Sequence, residues 1–210
     1  MKLVSLTALA LLAATPVFAN TPVTLDFEGA AGYVNPIGEF YNGGTDSLGQ
    51  SGPNVGVSFT SAAVALSNDA LGPYYSNAPS PLTVLYAADA TAVMNVALGF
   101  VDRLTFWYAA TSGVLDAVNI YSGLNATGTL LASASLFGNA QVGCTGPAFC
   151  RFDLTSVKFA GLARSVSFAG DAPNVLFDNI SISAVPEAEP LAMLVAGLAA
   201  IAFIRRRRSD

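Results

Sequence analysis

The body of this chain is written in short segments that suit a strand and not a helix. The first four are "VTLDFE" (Val23 to Glu28), "VGVSFTS" (Val55 to Ser61), "LTVLYAA" (Leu82 to Ala88) and "VMNVALG" (Val93 to Gly99). "RLTFWYAA" (Arg103 to Ala110), "AVNIYS" (Ala117 to Ser122) and "TLLASASL" (Thr129 to Leu136) follow. The last are "CRFDLT" (Cys150 to Thr155), "SVSFAG" (Ser165 to Gly170) and "VLFDNISIS" (Val175 to Ser183). All are rich in β-branched and aromatic residues, and several alternate apolar with polar positions, as half-buried strands do. Turn residues such as "NGG", "SGL" and "GNA" separate them. No long segment keeps a helical period, and no internal repeat is visible. About ten strands in one domain predict an antiparallel β-sandwich, jelly-roll-like, over residues 20–184.

Composition narrows the chemistry. The chain has 53% hydrophobic and 11% charged residues and no histidine. Ser–His–Asp and Cys–His catalysis need an imidazole, and most zinc sites need histidine or several cysteines. With no histidine and only 2 cysteines, those classes are excluded. Between Asn20 and Pro190 thirteen acidic side chains face four basic ones. Such a body lacks the Lys and Arg that phosphate contacts require, so nucleic acid is excluded as a partner. Its acidity suits hard cations such as calcium.

The two ends carry address signals. Residues 1–19 hold Lys2, an apolar stretch from Leu3 to Ala14, and small residues Val17 and Ala19 before Asn20. That order predicts a secretory signal peptide cleaved between Ala19 and Asn20 by signal peptidase. Export leads to an oxidising compartment, where Cys144 and Cys150, bracketing "TGPAF", are expected to form one disulfide. At the other end, an uncharged run from Leu191 to Ile204 precedes Arg205, Arg206, Arg207 and Arg208. The run is short against the ~20 residues of a full span. It is expected to form a short transmembrane helix whose arginines stay cytoplasmic, leaving the body outside.

The cluster Pro186-Glu187-Ala188-Glu189-Pro190, the apolar run and the arginines together resemble the PEP-CTERM sorting segment, here residues 185–208. Ala188 stands where the usual motif has proline. The resemblance implies recognition by an exosortase in the inner membrane of a Gram-negative bacterium that makes extracellular polysaccharide. It implies an inner-membrane-anchored intermediate, then release or attachment in the cell envelope or extracellular matrix. The body is then expected to be a non-catalytic exported protein, with extracellular polysaccharide as a partner. A lectin-like carbohydrate-binding module is the alternative, and a carboxylate-dependent glycoside hydrolase a lesser one.

Within the body, Phe106 and Tyr108 are expected in the core, with Trp107 on the opposite face by strand alternation. Tyr74 and Tyr75, in "GPYYSNAPSP", either stack on a sugar ring or pack within a surface loop. In "LDFEG", Leu25 and Phe27 share one face, and Asp26 and Glu28 the other. Asp178 is expected on the face of Leu176, Ile180 and Ile182, where a bare carboxylate is costly and needs a partner. First and last strands of sandwiches often run side by side, so Glu28 and Asp178 can meet. Asn42 and Asp46, in a glycine-rich loop, are candidates to complete an oxygen cage for Ca2+. The pattern resembles the structural calcium site of carbohydrate-binding jelly rolls. Alternatively, Asp178 accepts backbone N–H bonds at a strand edge.

Overall fold

The computed structural model describes residues 21–168 and 174–185. The signal segment, Ala19 and Asn20, and the sorting residues Pro186 to Arg208 lie outside the described residues. Among the described residues every regular element is a strand, and no helix is long and apolar enough to cross a membrane.

The strands are β1 (Thr21–Leu25), β2 (Asn35–Pro36), β3 (Val57–Phe59), β4 (Ala63–Ser67), β5 (Thr83–Ala87) and β6 (Val93–Ala110). Then follow β7 (Val114–Tyr121), β8 (Leu130–Leu136), β9 (Asp153–Lys158), β10 (Ala163–Ser167) and β11 (Val175–Ala184). They form one antiparallel sheet in the order β2-β4-β5-β11-β6-β10-β7-β8. The expected neighbourhood of first and last strands holds, with Thr21 opposite Ala184 and Leu25 opposite Ile180.

The sheet folds over on itself because β6 changes partners along its length. Residues 93–96 pair with β3 and β10, whereas residues 101–110 pair with β9 and β11. The two segments expected here as separate strands are one strand of 18 residues. It bends where Gly99 (φ 87°) and Asp102 (φ 72°) take left-handed backbone. A Cβ on Gly99 would meet the Ala163 carbonyl at 2.7 Å, so only glycine fits. Two layers result, and their inner faces share one buried core. Met94, Val118, Ile120 and Val166 come from one layer, and Phe106, Phe177, Leu85 and Leu104 from the other. Phe177 lies 5.5 Å from Phe106 and 4.8 Å from Phe168, ring centroid to centroid. Burying each such side chain contributes roughly 1.5–3 kcal/mol.

Strand β4 comes unexpected, and the bounds of β1 and β9 shift, each for a local reason. β4 escapes notice in the sequence because "AVALS" is rich in alanine, a poor strand former on propensity. Ala63 and Ala65 nonetheless join the core. β1 ends at Leu25, before Asp26, because Phe27 turns the chain at φ 62°. Its amide donates to the Tyr41 hydroxyl at 2.7 Å instead of to a neighbouring strand. β9 starts at Asp153, since the amides of Cys150 and Arg151 donate to the Ala140 carbonyl.

The largest correction concerns β11. Asp178 shares a face with Leu176, but not with Ile180 and Ile182. Asn179 takes left-handed backbone (φ 46°), and the pairing with β6 shifts register between Asp178 and Ser181. This bulge reverses the alternation. Val175, Phe177, Ile180 and Ile182 point to the main core, whereas Leu176 packs in a second cluster on the outer face.

Candidate functional site

That second cluster is where function is best sought. It holds Leu66, Tyr75, Val84, Phe152 and Leu176, with half-buried Trp107, Tyr86 and Phe149 packed against it. Trp107 therefore faces away from Phe106 and Tyr108, which lie in the main core as alternation requires. Two loops cover this outer face and are tied to each other. The Ser76 amide donates to the Phe149 carbonyl at 2.9 Å, and the Asn77 amide nitrogen Nδ2 donates to the Cys150 carbonyl at 2.9 Å. Asn139 fastens the second loop by donating to the Tyr108 carbonyl and accepting the Ala110 amide.

Between these loops an aromatic cleft of about 360 Å³ opens to solvent. Its floor is the sheet itself: Leu66 of β4, Tyr86 of β5 and Leu176 of β11, with Tyr86 directly opposite Leu176. Tyr33 and Tyr74 form one wall, their rings 5.2 Å apart and tilted by 39°. Ala148 and Phe149 form the other. Tyr33 is 61% exposed.

The wall is held rigidly. Asn68 Oδ1 accepts the amides of Tyr74 and Tyr75, and Asn68 Nδ2 donates to the Tyr75 carbonyl. The Tyr74 hydroxyl donates to Asp69 Oδ1 at 3.0 Å. That carboxylate also accepts the Leu71 and Gly72 amides, which hold its pKa below the ordinary value. Desolvation raises the pKa of Tyr74 and Tyr86, with Asp69 and Tyr33 adding for Tyr74 and Tyr33 for Tyr86. These phenols stay protonated at neutral pH and remain donors. The opposite wall is anchored by the Cys144–Cys150 disulfide, whose Cα atoms are 6.1 Å apart. The expected bond is therefore present, and Ala148 and Phe149 lie inside the loop it closes.

Tyr74 and Tyr75 part company. Tyr75 is buried, and its hydroxyl donates to the Leu82 carbonyl at 2.7 Å. Tyr74 lines the cleft. Tyr33, Tyr86 and Phe149 are cleft residues that sequence reasoning missed. Each sits in a different loop or strand, and only the exposed position of Tyr33 beside glycine gives a local signal.

Behind Tyr75 lies the predicted carboxylate pair. Asp178 is fully buried and accepts the Ser80 amide at 2.8 Å and its own neighbour's Asn179 amide at 2.7 Å. The Glu28 carboxylate accepts the Leu82 and Thr83 amides, each at 3.0 Å. Glu28 and Asp178 thus meet at residues 80–83. Burial pushes the Asp178 carboxyl up to about 6 against the opposing Ser80 and Asn179 hydrogen bonds, and the Glu28 charge adds to the rise. The Ser80 hydroxyl is surrounded by acceptors: both Asp178 oxygens at 2.7 and 2.8 Å, the Asp26 carbonyl at 2.9 Å and the Thr83 carbonyl at 3.4 Å. One hydroxyl proton serves only part of that set.

Asn42 and Asp46 do not join this pair. Asn42 is exposed and donates to Glu39 at 2.7 Å. Asp46 is buried in a separate network, accepting from Asn35, Gln50 and the Leu48 amide. The hairpin-like turn from Ile37 to Gln50 closes on itself through these bonds, which keeps both side chains at home. Among the described residues no three Asp, Glu, Cys or His side chains converge in a metal-ready group.

No family model matches the chain, and no curated protein matches it in sequence. Solved structures with some likeness include the K1 cleaved adhesin domain of Lys-gingipain from Porphyromonas gingivalis W83. It is 15% identical with a TM-score of 0.39, over 78% of this chain and 98% of that one. The K2 cleaved adhesin domain of Lys-gingipain is 14% identical with a TM-score of 0.35, over 81% and 93%. The Podospora anserina GH26-CBM35 β-(1,4)-mannanase is 14% identical with a TM-score of 0.34, over 81% of this chain and 29% of that one. At TM-scores of 0.34 to 0.39 these likenesses transfer neither ligand nor activity to this chain.

Proposed function

We propose that this chain is an exported, non-catalytic protein of the cell envelope or extracellular polysaccharide matrix whose body binds glycan in the aromatic cleft. The observation that carries the reading is the cleft itself. The tilted rings of exposed Tyr33 and half-buried Tyr74 stand beside a preformed floor of Leu66, Leu176 and Tyr86, and three phenols line the cleft. Small-ligand sites are concave, largely apolar and set with a few placed polar groups. Sugar rings present a C–H face that stacks on aromatic faces and hydroxyls that meet phenols.

A non-catalytic role fits the placement of the acids. Glycoside hydrolysis uses two carboxylates roughly 5–10 Å apart across the scissile bond. None lines this cleft among the described residues, and Asp69 beside it is engaged by Tyr74 and two amides. Turnover of a polysaccharide panel by the secreted protein would count against this assignment.

The address signals complete the proposal. Signal peptidase releases the N-terminus, and an exosortase-type system processes the sorting segment after a membrane-anchored stage. The body is a jelly-roll-like sandwich, and a structural Ca2+ is held between Asp178 and Glu28. The oxygens that would serve it are the two carboxylates, the Ser80 hydroxyl and the Asp26 and Thr83 carbonyls beside it. The amides of Ser80, Asn179, Leu82 and Thr83 that now donate to the carboxylates are the ion's competitors. Glycan-array binding by the secreted mature protein tests the function, and its mass spectrum tests the processing. A mature form that retains the apolar tail and binds no glycan would remove both parts.

A further inference from the structure

We propose that the cleft selects uncharged pyranose units and turns away polysaccharides that carry carboxylates or sulfates; this rests on the glycan-binding reading above. Three observations converge on it. First, the lining holds no Lys or Arg and no acid: its polar groups are the three phenols of Tyr33, Tyr74 and Tyr86. Anionic sugars are held by guanidinium forks, ammonium groups or free backbone amides. The basic residues of the described region are Arg103, Arg151, Lys158 and Arg164, and none lines the cleft. Arg151 is already paired with Asp153 at 2.9 Å.

Second, the amides along the Tyr74 wall are taken. Asn68 receives those of Tyr74 and Tyr75, and Asp69 receives those of Leu71 and Gly72. A carboxylate entering the cleft would lose water and gain no charged donor, only the neutral hydroxyls of Tyr33 and Tyr86, which is costly. Third, the setting is negative. The Asp69 carboxylate sits at the rim, 3.0 Å from the Tyr74 hydroxyl. The described region as a whole carries ten acidic against four basic side chains. Polyanions therefore meet repulsion at long range as well as a lining without positive charge at contact.

The occupant is a sugar and not an apolar peptide because the exposed rings bring hydroxyls with them. Tyr74 donates to Asp69, so its oxygen serves an incoming group only as an acceptor, while Tyr33 and Tyr86 keep hydroxyls to give. An uncharged pyranose supplies both an apolar face and several O–H groups to this set. An aliphatic segment supplies only the first.

The test uses a pair of polymers with the same sugar backbone, polygalacturonate and its uncharged full methyl ester, alongside neutral glucans, mannans and galactans that control for the ester's added methyl group. Binding to the exported protein is followed by isothermal titration at low and high salt. Tyr33→Ala, at an exposed position, and Tyr74→Phe, which releases Asp69, report on the site. The expected result is binding to neutral chains, roughly tenfold or more tighter for the ester than for the free acid, and weakened roughly tenfold by Tyr33→Ala. The gap between ester and acid narrows but persists at high salt. Equal or tighter binding of the acid, still lost in Tyr33→Ala, overturns the selectivity while the glycan site stands. Failure of every polymer to bind, or capture of an apolar peptide in their place, overturns the glycan reading and the selectivity together.

Discussion

Glu28 and Asp178 grip the same stretch of chain: Glu28 accepts the amides of Leu82 and Thr83, and Asp178 that of Ser80. They come from opposite ends of the body and join β1, β11 and the entry to β5 at one point. Asp178 is the costlier partner, since its carboxyl is pushed up to about 6 from 3.8. The folded chain thus holds this proton more tightly than the unfolded chain. The stability it contributes is fully present below about pH 4 and is lost as pH rises through 6. The size is on the order of 2–3 kcal/mol. Unfolding in EDTA should show the wild type losing stability relative to Asp178→Asn across that window. A difference between the two that stays flat with pH would refute the buried proton.

Calcium should reverse the trend. Ligation requires the carboxylates ionised, so the ion's contribution grows as pH rises. It reaches about 2.7 kcal/mol at a hundredfold excess over Kd. EDTA should lower the melting temperature at neutral pH. Glu28→Gln and Asp178→Asn should abolish most of that response, and Asn42→Ala should leave it intact, because Asn42 is occupied with Glu39. If neither EDTA nor added calcium moves the wild-type melting curve, no ion binds there.

Removing the disulfide should cost in two ways. Cys144→Ser with Cys150→Ser opens a short loop, which lowers stability by about 2 kcal/mol. It also frees Phe149, one wall of the cleft, so glycan affinity should fall in the same variant. Unfolding curves give the first effect and titration the second. Unchanged affinity in a destabilised but folded variant would show that the wall plays no part in binding.

The bend of β6 should be intolerant of any side chain. Gly99→Ala places a Cβ 2.7 Å from the Ala163 carbonyl at φ 87°. The loss expected in chemical denaturation is about 1–3 kcal/mol. A variant as stable as wild type would mean that the two layers hinge elsewhere.

These positions also mark how much was readable beforehand. Alternation around Trp107 and the pairing of first with last strand follow from period-two patterning and common sandwich topology, and both hold. The meeting of Glu28 with Asp178 follows from that pairing. What patterning misses is any residue that breaks its period. Asn179 reverses the face of Ile180 and Ile182 through a single left-handed residue; asparagine tolerates that backbone, but period-two patterning takes no account of it. The continuity of β6 is hidden in the same way, because Gly99 reads as a turn and acts as a bend. Tyr74 is visible as a stacking candidate, since it lies in a Pro/Gly/Ser loop. Its companions Tyr33, Tyr86 and Phe149 reach it only through tertiary folding and the disulfide, which local sequence does not encode.

The most direct test of the glycan site is a map of chemical-shift changes in the isotope-labelled exported protein as a neutral oligosaccharide is titrated in. The account predicts shifts centred on the rings and amides of Tyr33, Tyr74, Tyr86 and Phe149. The polar pocket around Asn95 and Asn125, in the other layer, should stay still. Shifts centred on Asn95 and Asn125, with the four aromatic residues unmoved, would contradict it.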